Sequence, residues 1–242
     1  MKRYLTNFPA HIELLDFCRT ETGFDVHFAR RVADMPVAPQ TSFTRAKHTL
    51  HDAIGRLERL ARDATRTDAQ RHDAARQLYD RAAAGVRAAA KDARAWADAE
   101  AKEAHQGMNA VLAPEPGKAA LYGEIRAHAA SRKADADWPA ELSRLVKTNR
   151  DVAVAIASAP GFLSGIGDDR QRDLSLAAMR AHAPAEADRL LIADQIIEEA
   201  ERVESGLSKI KPAFYAEVIA AGMNTHVDVE APFTTGPIVN AE

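Results

Sequence analysis

The chain has 242 residues, with 32 Lys and Arg against 35 Asp and Glu and a formal net charge of −3. That length holds one large domain or two small ones, and the balanced, interspersed charge argues against a general polyanion binder. The single cysteine, Cys18, excludes an intrachain disulfide and suits a reducing compartment.

Hydrophobic residues make up 46% of the chain but aromatics only 6%, because much of the apolar total is alanine. Alanine adds little buried area, so slender helical pairs are expected rather than a thick core. Few runs of Val, Ile or Thr argue against an extensive sheet. No stretch approaches the roughly 20 apolar residues of a membrane span, and no apolar run of signal-peptide length follows the two basic residues near Met1. The expectation is a soluble all-α protein made in the cytoplasm, without a membrane or direct nucleic-acid partner.

Residues 1–40 read as an N-terminal docking segment. His11 to Arg19 is a short apolar stretch compatible with helix or strand, and a helix around Asp25 to Ala33 puts Phe24, Phe28 and Val32 on one face. Pro36 to Pro39 reads as a linker. Residues 41–113 read as a long helical hairpin. Thr41 and Ser42 are candidate caps, and Phe43, Ala46, Leu50, Ala53, Ile54, Leu57, Leu60, Ala61 and Ala64 recur at helical spacing. After a pause, Thr67 or Asp68 caps a second helix running toward Pro114. At 1.5 Å per residue it is about 65 Å long, with a seam from Leu78 through Ala82, Val86, Ala89, Ala93 and Ala97 to Met108. A rod of that length needs a partner along its whole extent, either the C-terminal helices or another subunit. Gly85 and Gly107 read as weak points in it.

Pro114-Glu115-Pro116-Gly117 ends the rod, and residues 117–222 read as a bundle of shorter helices. Trp138-Pro139 opens one, Asn149 caps the next, and Asp168 or Asp169 caps a third after the loop Pro160–Gly167. Pro184 opens the last long helix, which Pro212 interrupts. Residues 223–242 read as an extended, acidic C-terminal arm, in which Val227 and Val229 alternate with polar residues.

The search for chemistry finds no convergent constellation. His11 and Glu13 are half of a metal pair without a second half. His48 and His51 share a helical spacing but lack a zinc-protease context. Cys18 has apolar neighbours and reads as a buried thiol. Gly161, Gly165 and Gly167 lack the lysine and hydroxyl of a phosphate loop. Arg56, Arg59, Arg62 and Arg66, and the row Glu198, Glu199, Glu201 and Glu204, read as solvated faces. No catalytic residue, cofactor or metal is assigned. The candidate interaction residues are Phe162, Leu163 and Ile166 in the glycine-punctuated loop, and Phe233, Ile238 and Val239 in the arm.

The segment Ala155-Ile156-Ala157-Ser158-Ala159-Pro160-Gly161-Phe162-Leu163-Ser164-Gly165-Ile166, preceded by Glu124 to His128, resembles small helical proteins encoded in tailed phages and prophages. The likeness covers about Gly123 to Asp188. It implies an all-α fold and a phage setting, and carries over no site residue. The combined expectation is a non-enzymatic virion component, scaffold or accessory head or tail factor, a homo-oligomer or a partner of other virion proteins. The alternative is a helical binding or regulatory module that contacts a host or phage protein.

Overall fold

A computed structural model describes residues 3–221. Among these residues the regular structure is entirely helical: α1 (Pro9–Cys18), α2 (Glu21–His27), α3 (Val37–Ala61), α4 (Asp68–Val111), α5 (Ala119–Ser131), α6 (Trp138–Thr148), α7 (Arg150–Ala157), α8 (Asp168–His182), α9 (Pro184–Phe214) and α10 (Glu217–Ala221). The described residues group into two compact units. The first comprises residues 3–30, Arg45–Ala88 and residues 203–221; the second comprises Arg31–Thr44 and Ala89–Arg202. Helices α3, α4 and α9 each supply residues to both.

In the first unit, α4 begins at a reciprocal capping box. Thr67 Oγ1 accepts from the Gln70 amide (3.3 Å), and the Gln70 side chain accepts from the Thr67 amide (2.9 Å). Arg71 donates to the Asp63 carbonyl across the turn, and Thr49 lies against Gly85. Both pairs are equidistant in sequence from Thr67, which is the register of an antiparallel helical hairpin. Most of the expected α3 face is buried, with Leu50, Ala53, Ile54, Leu57 and Ala61 inside, whereas Leu60 is only partly covered and Ala64, beyond the helix end, is exposed.

The partner that α4 requires along its length is α9. In the first unit the Tyr79 hydroxyl donates to the Leu207 carbonyl (3.0 Å), and Arg87 Nε meets Glu204 at 2.7 Å. In the second, Arg94 pairs with Glu201 at 3.5 Å, and Arg189 reaches Glu100 and Glu103. Position numbers fall along α9 as they rise along α4, so the two run antiparallel. These ion pairs are half exposed and contribute under about 1 kcal/mol each. Ala82, Ala83, Ala89, Ala90, Ala93 and Ala97 of α4 are buried, and side chains this small permit close backbone approach. Glu201 and Glu204 therefore bind α4 arginines and are not simply a solvated face.

In the second unit, α5 to α8 form an apolar cluster of Tyr122, Leu142, Val146, Val154, Ile156 and Leu174 around Trp138. Asn149 caps α7 as expected, accepting from the amides of Asp151 (2.9 Å) and Val152 (3.3 Å). The Pro114–Gly117 break ends α4 and lies inside this unit.

Several boundaries differ from the sequence reading. Val37 to Pro39 is the first turn of α3 and not a linker, because the first amides of a helix have no intrahelical acceptor and tolerate proline. Thr41 is consequently inside the helix, where its hydroxyl bonds back to the Val37 carbonyl at 2.7 Å. Helix α2 starts earlier than expected because Thr20 caps it, accepting from the Gly23 amide; Arg31, at φ 51°, lies in the left-handed region beyond its end. Gly167 occupies the cap of α8, with Asp168 and Asp169 in its first turn, where carboxylates favour the helix dipole. Pro212 sits within the last turn of α9, which continues to Phe214. One lost hydrogen bond there is outweighed by burial of Ile210, Ala213 and Phe214.

Candidate functional site

The glycine-punctuated segment after α7 is a 3-10 turn, Gly161–Ser164, within the second unit. Its backbone is tightly specified. The Ile166 amide donates to the Gly161 carbonyl at 2.9 Å, and a Cβ on Gly161 would stand 2.6 Å from the Ile166 carbonyl oxygen. Gly165 has φ 68°, which favours glycine. Gln171 of α8 donates from one amide nitrogen to the carbonyls of Ile156 and Ala159, tying the end of α7 to α8.

On this fixed backbone the three predicted contact residues separate. Phe162 is 75% exposed and Leu163 46% exposed, whereas Ile166 packs against the α5–α8 core. Ile166 thus turns inward, partly buried against that core, and Phe162 and Leu163 form an outward apolar knob. The same unit carries a cleft of about 250 Å³ between α5 and α6, lined by Leu121, Ile125, Trp138, Leu145 and Val152, with Glu124 and His128 also contributing. His128 meets the Trp138 ring edge-on (5.5 Å) and the Arg132 guanidinium lies 4.6 Å from its centroid, so one face of the indole carries a cation.

The first unit contains a larger cavity, about 660 Å³, which sequence reading did not find. Its walls come from residues 4–11, the α3–α4 turn and the end of α9 with α10. The wall is partly apolar, from Leu5, Phe8, Ala61, Ala64, Pro212 and Ile219, and partly basic, from Arg62 and Arg71. His72 is buried, and its Nδ1 accepts from the Ala216 amide at 3.0 Å, which fixes the start of α10. Arg71 donates to the Asp68 carboxylate and to the Asp63 carbonyl, while its Nε is buried without a hydrogen-bond partner. Tyr4 donates its hydroxyl to Asp16 at 2.7 Å; burial first, and then that carboxylate, push its pKa up.

Elsewhere most polar groups are committed to structure, although the His51 Nε2 and Gln171 Oε1 are buried without a hydrogen-bond partner. Cys18 is fully buried, and desolvation pushes its thiol up to about 12, so it carries no thiolate at neutral pH. His51 is hydrogen-bonded to the Cys18 backbone, and desolvation holds its pKa below the ordinary value. Arg56, Arg62 and Arg66 pair with Asp52, Glu58 and Asp63 on their own face of the hairpin. Among the described residues no three His, Cys, Asp or Glu side chains converge on a metal position. None of the helices described is long and apolar enough to cross a membrane. Phe233, Ile238 and Val239 lie outside the described residues. Compared with protein-family models, curated proteins and solved structures, the chain matches none.

Proposed function

We propose that this chain is a non-enzymatic assembly protein that works by self-association, in the tailed-phage setting implied by the resemblance of residues 123–188. In this reading it is made in the cytoplasm of the producing cell and joins a particle as a component, scaffold or accessory factor. The observation that carries the reading is the Phe162–Leu163 knob, apolar and outward on a backbone fixed by Gly161, Gly165 and Gln171. A rigid apolar projection loses little conformational entropy when it is covered. The cleft bounded by Trp138, Leu121 and Val152 is a second apolar feature of the same unit.

Magnitudes favour a many-copy assembly over an isolated pair. Fully burying an apolar side chain of this size is worth about 1.5–3 kcal/mol, so two such residues make a weak single contact that gains from repetition. Static light scattering of the full chain over a wide concentration range tests this. The expected result is mass that grows with concentration, and a Phe162→Asp, Leu163→Asp variant that stays monomeric with unchanged helical circular dichroism. A wild-type monomer at the highest concentration overturns self-association. In that case capture of one distinct protein partner, lost in the same variant, would support the alternative of a binding or regulatory module.

A further inference from the structure

Building on the self-association proposed above, we infer that the Phe162–Leu163 knob of one copy seats in the α5–α6 cleft of a second copy, joining copies head to tail. The cleft has the right size and lining. It holds about 250 Å³, below the roughly 300–1,000 Å³ of a small-molecule pocket and on the scale of one or two side chains. Apart from Glu124 and His128 its walls are apolar, and Trp138 gives an incoming ring an aromatic neighbour. The groove between α8 and α9 instead carries Arg180, Asp188 and Asp194, charged groups that an apolar knob would desolvate. Charge agrees with the first choice. Lys133 runs beside the knob, its Cδ 3.5 Å from where a Cβ on Gly165 would stand. Lys133 and Glu124 are both exposed, and among the described residues neither side chain has an ion pair or hydrogen bond.

Direction decides between a closed pair and a chain of copies. Leu121, Ile125 and His128 of α5 line the cleft. Ala130 of the same helix lies under the knob, its Cα 3.2 Å from the position of a Cβ on Gly165. At 3.6 residues per turn, Ala130 projects about 180° from Leu121, about 140° from Ile125 and about 160° from His128. Knob and cleft therefore lie on opposite sides of α5. A reciprocal two-fold exchange needs both on one face, so a copy that fills a neighbour's cleft leaves its own open to a third. Such a heterologous contact continues into a ring or a filament. Lys133 travels with the knob and meets Glu124 of the copy that it enters.

The test mixes two full-length variants, each lacking one half of the contact. Phe162→Asp, Leu163→Asp removes the knob and keeps the cleft. Leu121→Arg, at a rim position 40% exposed, blocks the cleft and keeps the knob. Each alone should stay monomeric in light scattering at concentrations where the wild type grows. An equimolar mixture should form a 1:1 pair of twice the monomer mass and stop there, because one intact knob and one intact cleft remain. Every wild-type junction is that same contact, so the pair forms at the same concentration. A charge exchange probes the same face without an apolar change, and it decides the matter if Leu121→Arg loses helical circular dichroism. Glu124→Lys or Lys133→Glu alone should weaken association about two- to fivefold, and both together in one chain should restore it. A folded Leu121→Arg chain that still associates, a mixture that stays monomeric, or a double charge variant no tighter than the singles overturns the head-to-tail contact and leaves knob-mediated association standing. A wild type that never associates overturns both.

Discussion

In the first unit the largest fully buried side chains are rings, Tyr4, Phe24, Phe28 and Phe214, whereas the α5–α8 core of the second is mostly aliphatic, with Leu142, Val146, Val154, Ile156 and Leu174 beside Trp138 and Tyr122. The difference follows from what each unit joins. The first brings together segments far apart in the chain. Its ties are side-chain bonds such as Tyr79 to Leu207 and His72 to Ala216, 128 and 144 residues apart. A ring with a polar end can bury apolar area and satisfy a carbonyl at once. The second joins consecutive short helices, where branched aliphatics and local caps suffice.

Glycines expose the same contrast and give the largest expected effects. A Cβ on Gly206 would stand 2.6 Å from the His27 carbonyl oxygen and 2.7 Å from the Phe28 ring. That ring is fully buried and stacked on Phe24 at 5.2 Å, so it has nowhere to go. Gly206→Ala should cost about 3 kcal/mol, the upper range for overpacking, read from the urea midpoint. Gly107→Ala, in the second unit, meets only the Glu186 side chain, with Cγ at 2.8 Å. That side chain can swing aside, and the helix gains about 1 kcal/mol of propensity, so the change should be neutral or stabilising. Equal losses from the two substitutions would break the comparison.

A middle-sized effect tests the reliance of the second unit on local caps. Asn149→Ala removes the acceptor of two amides at the start of α7 and should cost about 1 kcal/mol, with protection lost first at residues 150–157 in hydrogen exchange. The smallest effect is in pH. Desolvation lowers the pKa of His51 and of His27, both in the first unit. Their unfolded value is about 6.5, so below that pH the unfolded chain binds more protons than the folded one. Stability should therefore be full above about pH 7 and fall as pH drops through 6.5 toward the depressed folded values. His51→Gln should flatten that slope in thermal melts at pH 5 and 7.5, and an unchanged slope would show that His51 is not its source.

Much of the helix content was legible because it rests on local rules. Thr67 and the proline-free alanine run located α4 to within a few residues, and Asn149 located α7. The α3 start was misread because prolines signal breaks unless they fall in a first turn, where Pro39 stands. Gly85 and Gly107 looked like weak points because propensity describes an isolated helix. In the fold each is a place of close approach, Gly85 to Thr49 and Gly107 to Glu186. The direction of Phe162 was also beyond reach, since an apolar residue in a glycine-rich turn can plug a core or leave it. The first-unit cavity left no trace in any local pattern, being assembled from residues 4–11, 61–72 and 212–219.

The discontinuous make-up of the first unit has a consequence for biosynthesis. Residues 203–221 supply Leu207, Ile210, Phe214 and Tyr215 to its core. A ribosome adding about 5–20 residues per second has released the α3–α4 hairpin and the whole α5–α8 cluster before those residues exist. The hairpin therefore waits for more than ten seconds at the slower rate, with Tyr79 lacking its partners Leu207, Phe214 and Tyr215. The chain passes through that window as a nascent species with exposed apolar surface, the kind of intermediate that cellular holdases bind.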